Sequence, residues 1–230
     1  MTEKSGFYRY YDRLKNNPAL WGVPALMLAA FLLAWLCYSL EPVFSRDGCL
    51  YLELVEIWHQ TGSLQGLLEA YPDIWIPPFP LYLMKLLMDF GVPKAWAGLA
   101  LNMVMFAFLP LIIWKICRLL FPDRQQIAWW TAAFIAVNPA MIDLAVEPQR
   151  DMIYLFFCGF VILFLLRGIL QRQYRDWLCA GVFFIFSALT RFETWEILPL
   201  LAAYFCFALF GKHRSWRELL KQAGLFSVGA

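Results

Sequence analysis

Apolar residues in this chain come in long blocks separated by short polar segments, not in the short periods of a half-buried soluble fold. No charge lies between Lys15 and Glu41, a run of 25 residues. That exceeds the roughly 20 a helix needs to cross a bilayer. Further runs cover residues 95–114, 125–142, 152–166, 177–190 and 197–211, and a last one begins near Ala223. The pattern predicts six full transmembrane helices and part of a seventh, an all-α polytopic membrane protein. The first run is too long for the apolar core of a cleavable signal peptide, about 7–15 residues, so it is expected to be retained. The three shortest runs reach only about 21–23 Å at 1.5 Å per residue, less than a hydrocarbon core of roughly 30 Å. Their charged flanks must snorkel or lie within protein.

Basic residues orient the helices. With a cytoplasmic N-terminus, and with residues 95, 152 and 197 starting outside-to-inside helices, the inner segments hold 14 of the 19 Lys and Arg. The outer five are Arg46, Lys85, Lys94, Arg150 and Arg191. This division survives only if the apolar stretch 79–90 does not cross. It contains Lys85 and Asp89 and is short, so it reads as an interfacial helix on the outer surface. The outer face then carries one long segment, 41–94, and two short turns near 146–151 and 190–196. Within the long segment, residues 46–60 have helical periodicity and end at Thr61-Gly62. Residues 63–70 form a second short helix that Ser63 can cap. Residues 71–80, with Pro72, Pro77, Pro78 and Pro80, read as extended.

Composition narrows the function classes. The chain is 62% hydrophobic and only 16% charged, with a net charge of +2. An ordinary soluble domain is about 25% charged, so a soluble enzyme is excluded. No basic stripe is present, so nucleic acid is not an expected partner. Five of the six cysteines lie in or at the ends of apolar runs, without motif spacing, and read as small hydrophobes.

The candidate chemistry gathers on the predicted outer face. Arg46-Asp47 opens the long loop, Arg150-Asp151 occupies the second turn, and Arg191 and Glu193 the third. Any one arginine there can be a snorkelling anchor. Several beside carboxylates at membrane level suggest an anion-binding acidic pit. A guanidinium fork suits phosphate, and a neighbouring carboxylate suits proton abstraction from a hydroxyl. Phosphate at membrane level with a long apolar tail points to a polyprenyl-phosphate lipid.

Three stretches carry a resemblance. Ser45-Arg46-Asp47-Gly48, Tyr51-Leu52-Glu53-Leu54, Tyr71-Pro72 and Pro77-Pro78-Phe79-Pro80-Leu81-Tyr82 resemble the first outer loop of GT-C type membrane glycosyltransferases. These are the polyprenyl-phosphate-sugar-dependent enzymes related to protein O-mannosyltransferases and to lipid A aminoarabinose or galacturonic acid transferases. Asn138-Pro139 with Glu147, Arg150-Asp151 and Tyr154 is similar to that family's second acidic turn. Leu189-Thr190-Arg191-Phe192-Glu193 is similar to the end of one of its later helices. The resemblance implies that Asp47 is the catalytic acid/base, Asp151 the second acid of the pocket, and Arg191 a contact to donor phosphate. Arg46, Arg150, Glu147, Glu193, Tyr51 and Asp73 complete the expected substrate-binding set, with Trp75 placed to stack on a sugar. It also implies a lipid-linked sugar as donor, a lipid, glycan or protein as acceptor, and residence in a bacterial inner membrane with the active face extracytoplasmic. No cofactor and no metal-ligand spacing is expected, although a divalent cation between Asp47 and Asp151 stays open. Family members usually run to several hundred residues, so the single module 1–230 is expected to lack a C-terminal part. A non-catalytic module that binds polyprenyl-phosphate lipid is the alternative.

Overall fold

The computed structural model describes residues 18–40, 42, 44–72, 76–210 and 215–230. Among them are eleven α-helices, one 3-10 turn and no β-strand. In chain order these are α1 (Pro18–Leu40), α2 (Arg46–Thr61), α3 (Leu64–Ala70), α4 (Pro78–Asp89), α5 (Lys94–Leu120), α6 (Gln125–Val137), α7 (Pro139–Val146), α8 (Arg150–Leu170), α9 (Tyr174–Ala188), the 3-10 turn (Phe192–Glu196), α10 (Ile197–Phe210) and α11 (Trp216–Gly229). The protein is an all-α integral membrane protein. Four elements among the described residues are long and apolar enough to cross a membrane: α1, α5, α8 and the 3-10 turn continued by α10. The pair α6 and α7 makes a fifth if taken as one bent span. The sixth expected crossing, α9, has 15 residues, about 22 Å.

The longest helix, α5, is the hub, packed against α1, α2, α4, α6, α7 and α8. Helices in lipid approach closely where side chains are small. Ala128, Ala132 and Ala136 recur every four residues on α6, and Ala30 and Ala34 do so on α1; all five are fully buried. The α8–α9 contact is aromatic, with Phe160 stacked on Phe183 at 4.7 Å between centroids. Large apolar side chains remain exposed on the outward faces of α1, α6 and α10, among them Trp21, Trp130 and Phe207. A soluble monomer rarely leaves so much apolar surface uncovered, as a membrane protein does on its lipid-facing side.

Several expected boundaries move. The run 125–142 is not one helix. It breaks at Asn138-Pro139, where α6 and α7 meet at 49°. The residue before a proline is driven out of the α region, and Asn138 sits at ψ 120° with its side chain accepting from the N–H groups of Ala140 and Met141. The run 152–166 is extended at both ends into the 21-residue α8, which takes Arg150, Asp151 and Arg167 into the helix. The last helix starts at Trp216, not near Ala223, behind a capping box of Ser215 and Glu218. The extended proline segment stops at Pro77, because Pro78 can occupy the first helical position of α4. The helices α2 and α3 lie where expected; Ser63 caps α3 as expected, and α2 is capped by Ser45, a cap the pattern did not single out.

Candidate functional site

Four separate segments bring their ends to one pocket of about 390 Å³, lined by Asp47, Leu50, Tyr51, Ile76, Gln149, Arg150, Asp151 and Arg191. Asp47 and Tyr51 stand on the first turns of α2. Arg150 and Asp151 open α8. Arg191 precedes the 3-10 turn after α9. Ile76 comes from the loop before α4.

Local hydrogen bonding explains why Arg191 points there. The N–H of Arg191 donates to the Ser187 carbonyl at 2.9 Å. The Ser187 and Thr194 hydroxyls bond to each other at 2.9 Å, and Thr194 Oγ1 donates to the Arg191 carbonyl at 2.9 Å. Thr190 Oγ1 donates to the Phe186 carbonyl at 2.7 Å. Ser187, Thr190 and Thr194 are fully buried, so the turn is fixed from inside the fold. The guanidinium lies over the Tyr154 ring at 5.5 Å. Its Nη1 bonds Asp151, and its Nη2 bonds Glu193 at 2.8 Å. Glu193 and then Asp151 raise the proton affinity of Arg191 above its ordinary value, so the cation is permanent. Burial pushes the Tyr51 phenol well above its ordinary pKa, leaving it a hydrogen-bond donor at neutral pH.

The remaining candidates divide. Arg150 lines the pocket and, among the described residues, has no ion-pair partner. Glu193 reaches the site only through Arg191. Arg46 is exposed and does not line the pocket. Glu147 does not line it either: its Oε1 accepts from the Ser45 N–H at 2.8 Å and its Oε2 from the Ser45 hydroxyl at 2.9 Å. Asp73 and Trp75 lie outside the described residues. Among the described residues no three His, Cys, Asp or Glu side chains gather as a metal site. The sequence reading missed Asn102, Gln149, Ser187 and Thr194. Asn102 had a signal, a lone amide inside the run 95–114.

A family model for dolichyl-phosphate-mannose-protein mannosyltransferases matches residues 76–229, more than half of the chain. The chain belongs to this family. It is a membrane glycosyltransferase of the GT-C type, as the three sequence stretches implied. No curated protein and no solved structure matches it. The mannosyltransferase-family match includes Ile76, Arg150, Asp151 and Arg191, and it begins after Asp47 and Tyr51.

Proposed function

We propose that this glycosyltransferase moves a monosaccharide from a polyprenyl-phosphate donor to a hydroxyl of a lipid, glycan or protein, at the extracytoplasmic face of a bacterial inner membrane. The observation that carries the reading is the convergence of two carboxylates and two guanidiniums, from three segments remote in sequence, on one open pocket. The donor is already activated, because a phosphate monoester is a good leaving group. What the reaction needs is a base for the acceptor and charge compensation for the departing phosphate. Asp47 has no ion-pair partner among the described residues and takes the acceptor hydroxyl proton. The acceptor oxygen bonds to the anomeric carbon as the bond from that carbon to the phosphate oxygen breaks. The electron pair leaves with the polyprenyl phosphate, whose added charge Arg150 and Arg191 meet. Attack opposite the leaving group inverts the anomeric centre. Asp151 holds Arg191, and the Tyr51 hydroxyl donates to substrate.

The test is sugar transfer in membranes at matched expression. Asp47→Asn keeps the shape, leaves the Ser45 cap of α2 in place and removes the proton acceptor. It is expected to insert and bind donor normally, and to lose transfer at least ~100-fold. Near-normal transfer by this variant would remove Asp47 as the base. A chain that binds donor and transfers to no acceptor would establish the lipid-binding module instead.

A further inference from the structure

Behind the pocket, three elements are tied together by Ser45, Glu147 and Asn102, none of which lines it. Both Glu147 carboxylate oxygens are taken by Ser45, from its N–H at 2.8 Å and its hydroxyl at 2.9 Å. The same hydroxyl accepts from the Gly48 N–H at 3.1 Å, closing the first turn of α2. On the other side of the turn the fully buried Asn102 on α5 donates through Nδ2 to the carbonyls of Glu147 and of Gln149, the latter at 3.0 Å. Pro148 fills the gap between. A Cβ on Gly48 would lie 2.5 Å from Glu147 Oε2 and 3.0 Å from Pro148, and one on Gly98 of α5 would lie 2.5 Å from the Pro148 Cβ. A side chain at Gly98 has no room against Pro148, and one at Gly48 would push the Glu147 carboxylate from its place.

The consequence is geometric. Asp47 belongs to α2, whereas Arg150 and Asp151 belong to α8, about a hundred residues later. A base and the groups that hold a donor must keep their spacing to a fraction of an ångström, and a 1 Å error can cost about a hundredfold. Among the described residues, Glu147 links the Asp47 turn by hydrogen bonds to the segment that leads directly into Arg150. Its negative charge at the N-terminus of α2 is also favourable to the helix dipole. We propose that Glu147 and Asn102 are positioning residues for transfer: Glu147 fixes the Asp47 turn, and Asn102 fixes Glu147 and Gln149 to the hub helix. The inference rests on Asp47 acting as the base.

Kinetics in membranes, with a polyprenyl-phosphate sugar as donor, separate this role from others. Glu147→Ala and Asn102→Ala should lower kcat about 10- to 100-fold and leave the donor KM nearly unchanged. Glu147→Gln keeps an acceptor for the Ser45 N–H and should lose less. In an Asp47→Asn background Glu147→Ala should add no further loss, because it acts through a group already disabled. Multiplied losses in the double variant, or a raised donor KM at unchanged kcat, would overturn the proposal. Normal transfer by Asp47→Asn alone would instead overturn the assignment of the base. Hydrogen exchange tests the clamp without activity: amides of residues 46–50 should exchange faster in Glu147→Ala and Asn102→Ala, with the body of α8 unchanged. Unchanged exchange in 46–50 would refute the clamp itself.

Discussion

The two pocket arginines are unequal in what they already hold. Arg191 is engaged by Asp151 and Glu193, yet its buried Nε has no hydrogen-bond partner. Arg150 has no ion pair among the described residues. A hydrogen bond to a charged group contributes about 1.5–3 kcal/mol, so losing either contact to a donor phosphate should weaken binding roughly tenfold or more. The two variants should differ in stability. Arg150→Gln breaks no ion pair and is expected to lower donor affinity at unchanged thermal stability. Arg191→Gln strands Asp151 and should lower both. Arg191→Lys should restore affinity only in part, because it keeps the charge without the fork. Donor binding and a thermal melt of the detergent-solubilised variants check this. Full donor affinity in Arg191→Gln would leave that arginine as a structural anchor.

At the scale of elements, the turn that carries Arg191 is held by a short buried network of hydroxyls. Thr194→Val keeps the shape and removes both the bond to Ser187 and the bond to the Arg191 carbonyl. Leaving those buried partners unsatisfied costs about 1–3 kcal/mol. The variant should melt earlier and bind donor more weakly, with Arg191 intact; an unchanged melt would show that the network is dispensable. What was readable in the sequence follows the same division between local and remote causes. The bounds of α2 and α3 could be read from periodicity and from Gly62 and Ser63, which act within a few residues of themselves. The break at Asn138-Pro139 was also local, and a count of apolar residues passed over it because both sides of the break are apolar. Asp47, Asp151 and Arg191 could be named because charge is conspicuous at the end of an apolar run. The work of Glu147, Asn102 and Thr194 could not, because each is defined by a partner on another element or by burial that only the packed fold creates. The resemblance places Glu147 among the substrate contacts, whereas in the fold both of its oxygens accept from Ser45.

For the whole molecule the number of membrane crossings turns mostly on α8 with α9. The two helices are pinned together at both ends: Arg191 pairs with Asp151 at one, and Arg167 Nε lies 3.3 Å from Asp176 at the other. From Asp151 to Arg167 the rise is about 24 Å. Residues 176–191 therefore return through the same depth as the apolar body of α8, although α9 alone has only 15 residues. If this hairpin crosses, ion pairs at two levels some 24 Å apart would put one pair near each surface of a bilayer core of roughly 30 Å. The short α4 works the other way. It has 12 residues, about 18 Å, and it buries Leu81 and Met84 against the fold while Lys85 and Asp89 pair along it. Crossing by α4 would invert every later loop and undo the 14-to-5 division of basic residues. Single cysteines placed in a Cys49→Ser background distinguish the two. Cysteines at Glu69 and Lys94, on either side of α4, should react with an impermeant thiol reagent applied outside intact cells. Cysteines at Asp123, between α5 and α6, and at Gln171, between α8 and α9, should react only after permeabilisation. Protection of Lys94 alone on the outside would make α4 a span, and labelling of Gln171 from outside would mean that the α8–α9 hairpin does not traverse the membrane.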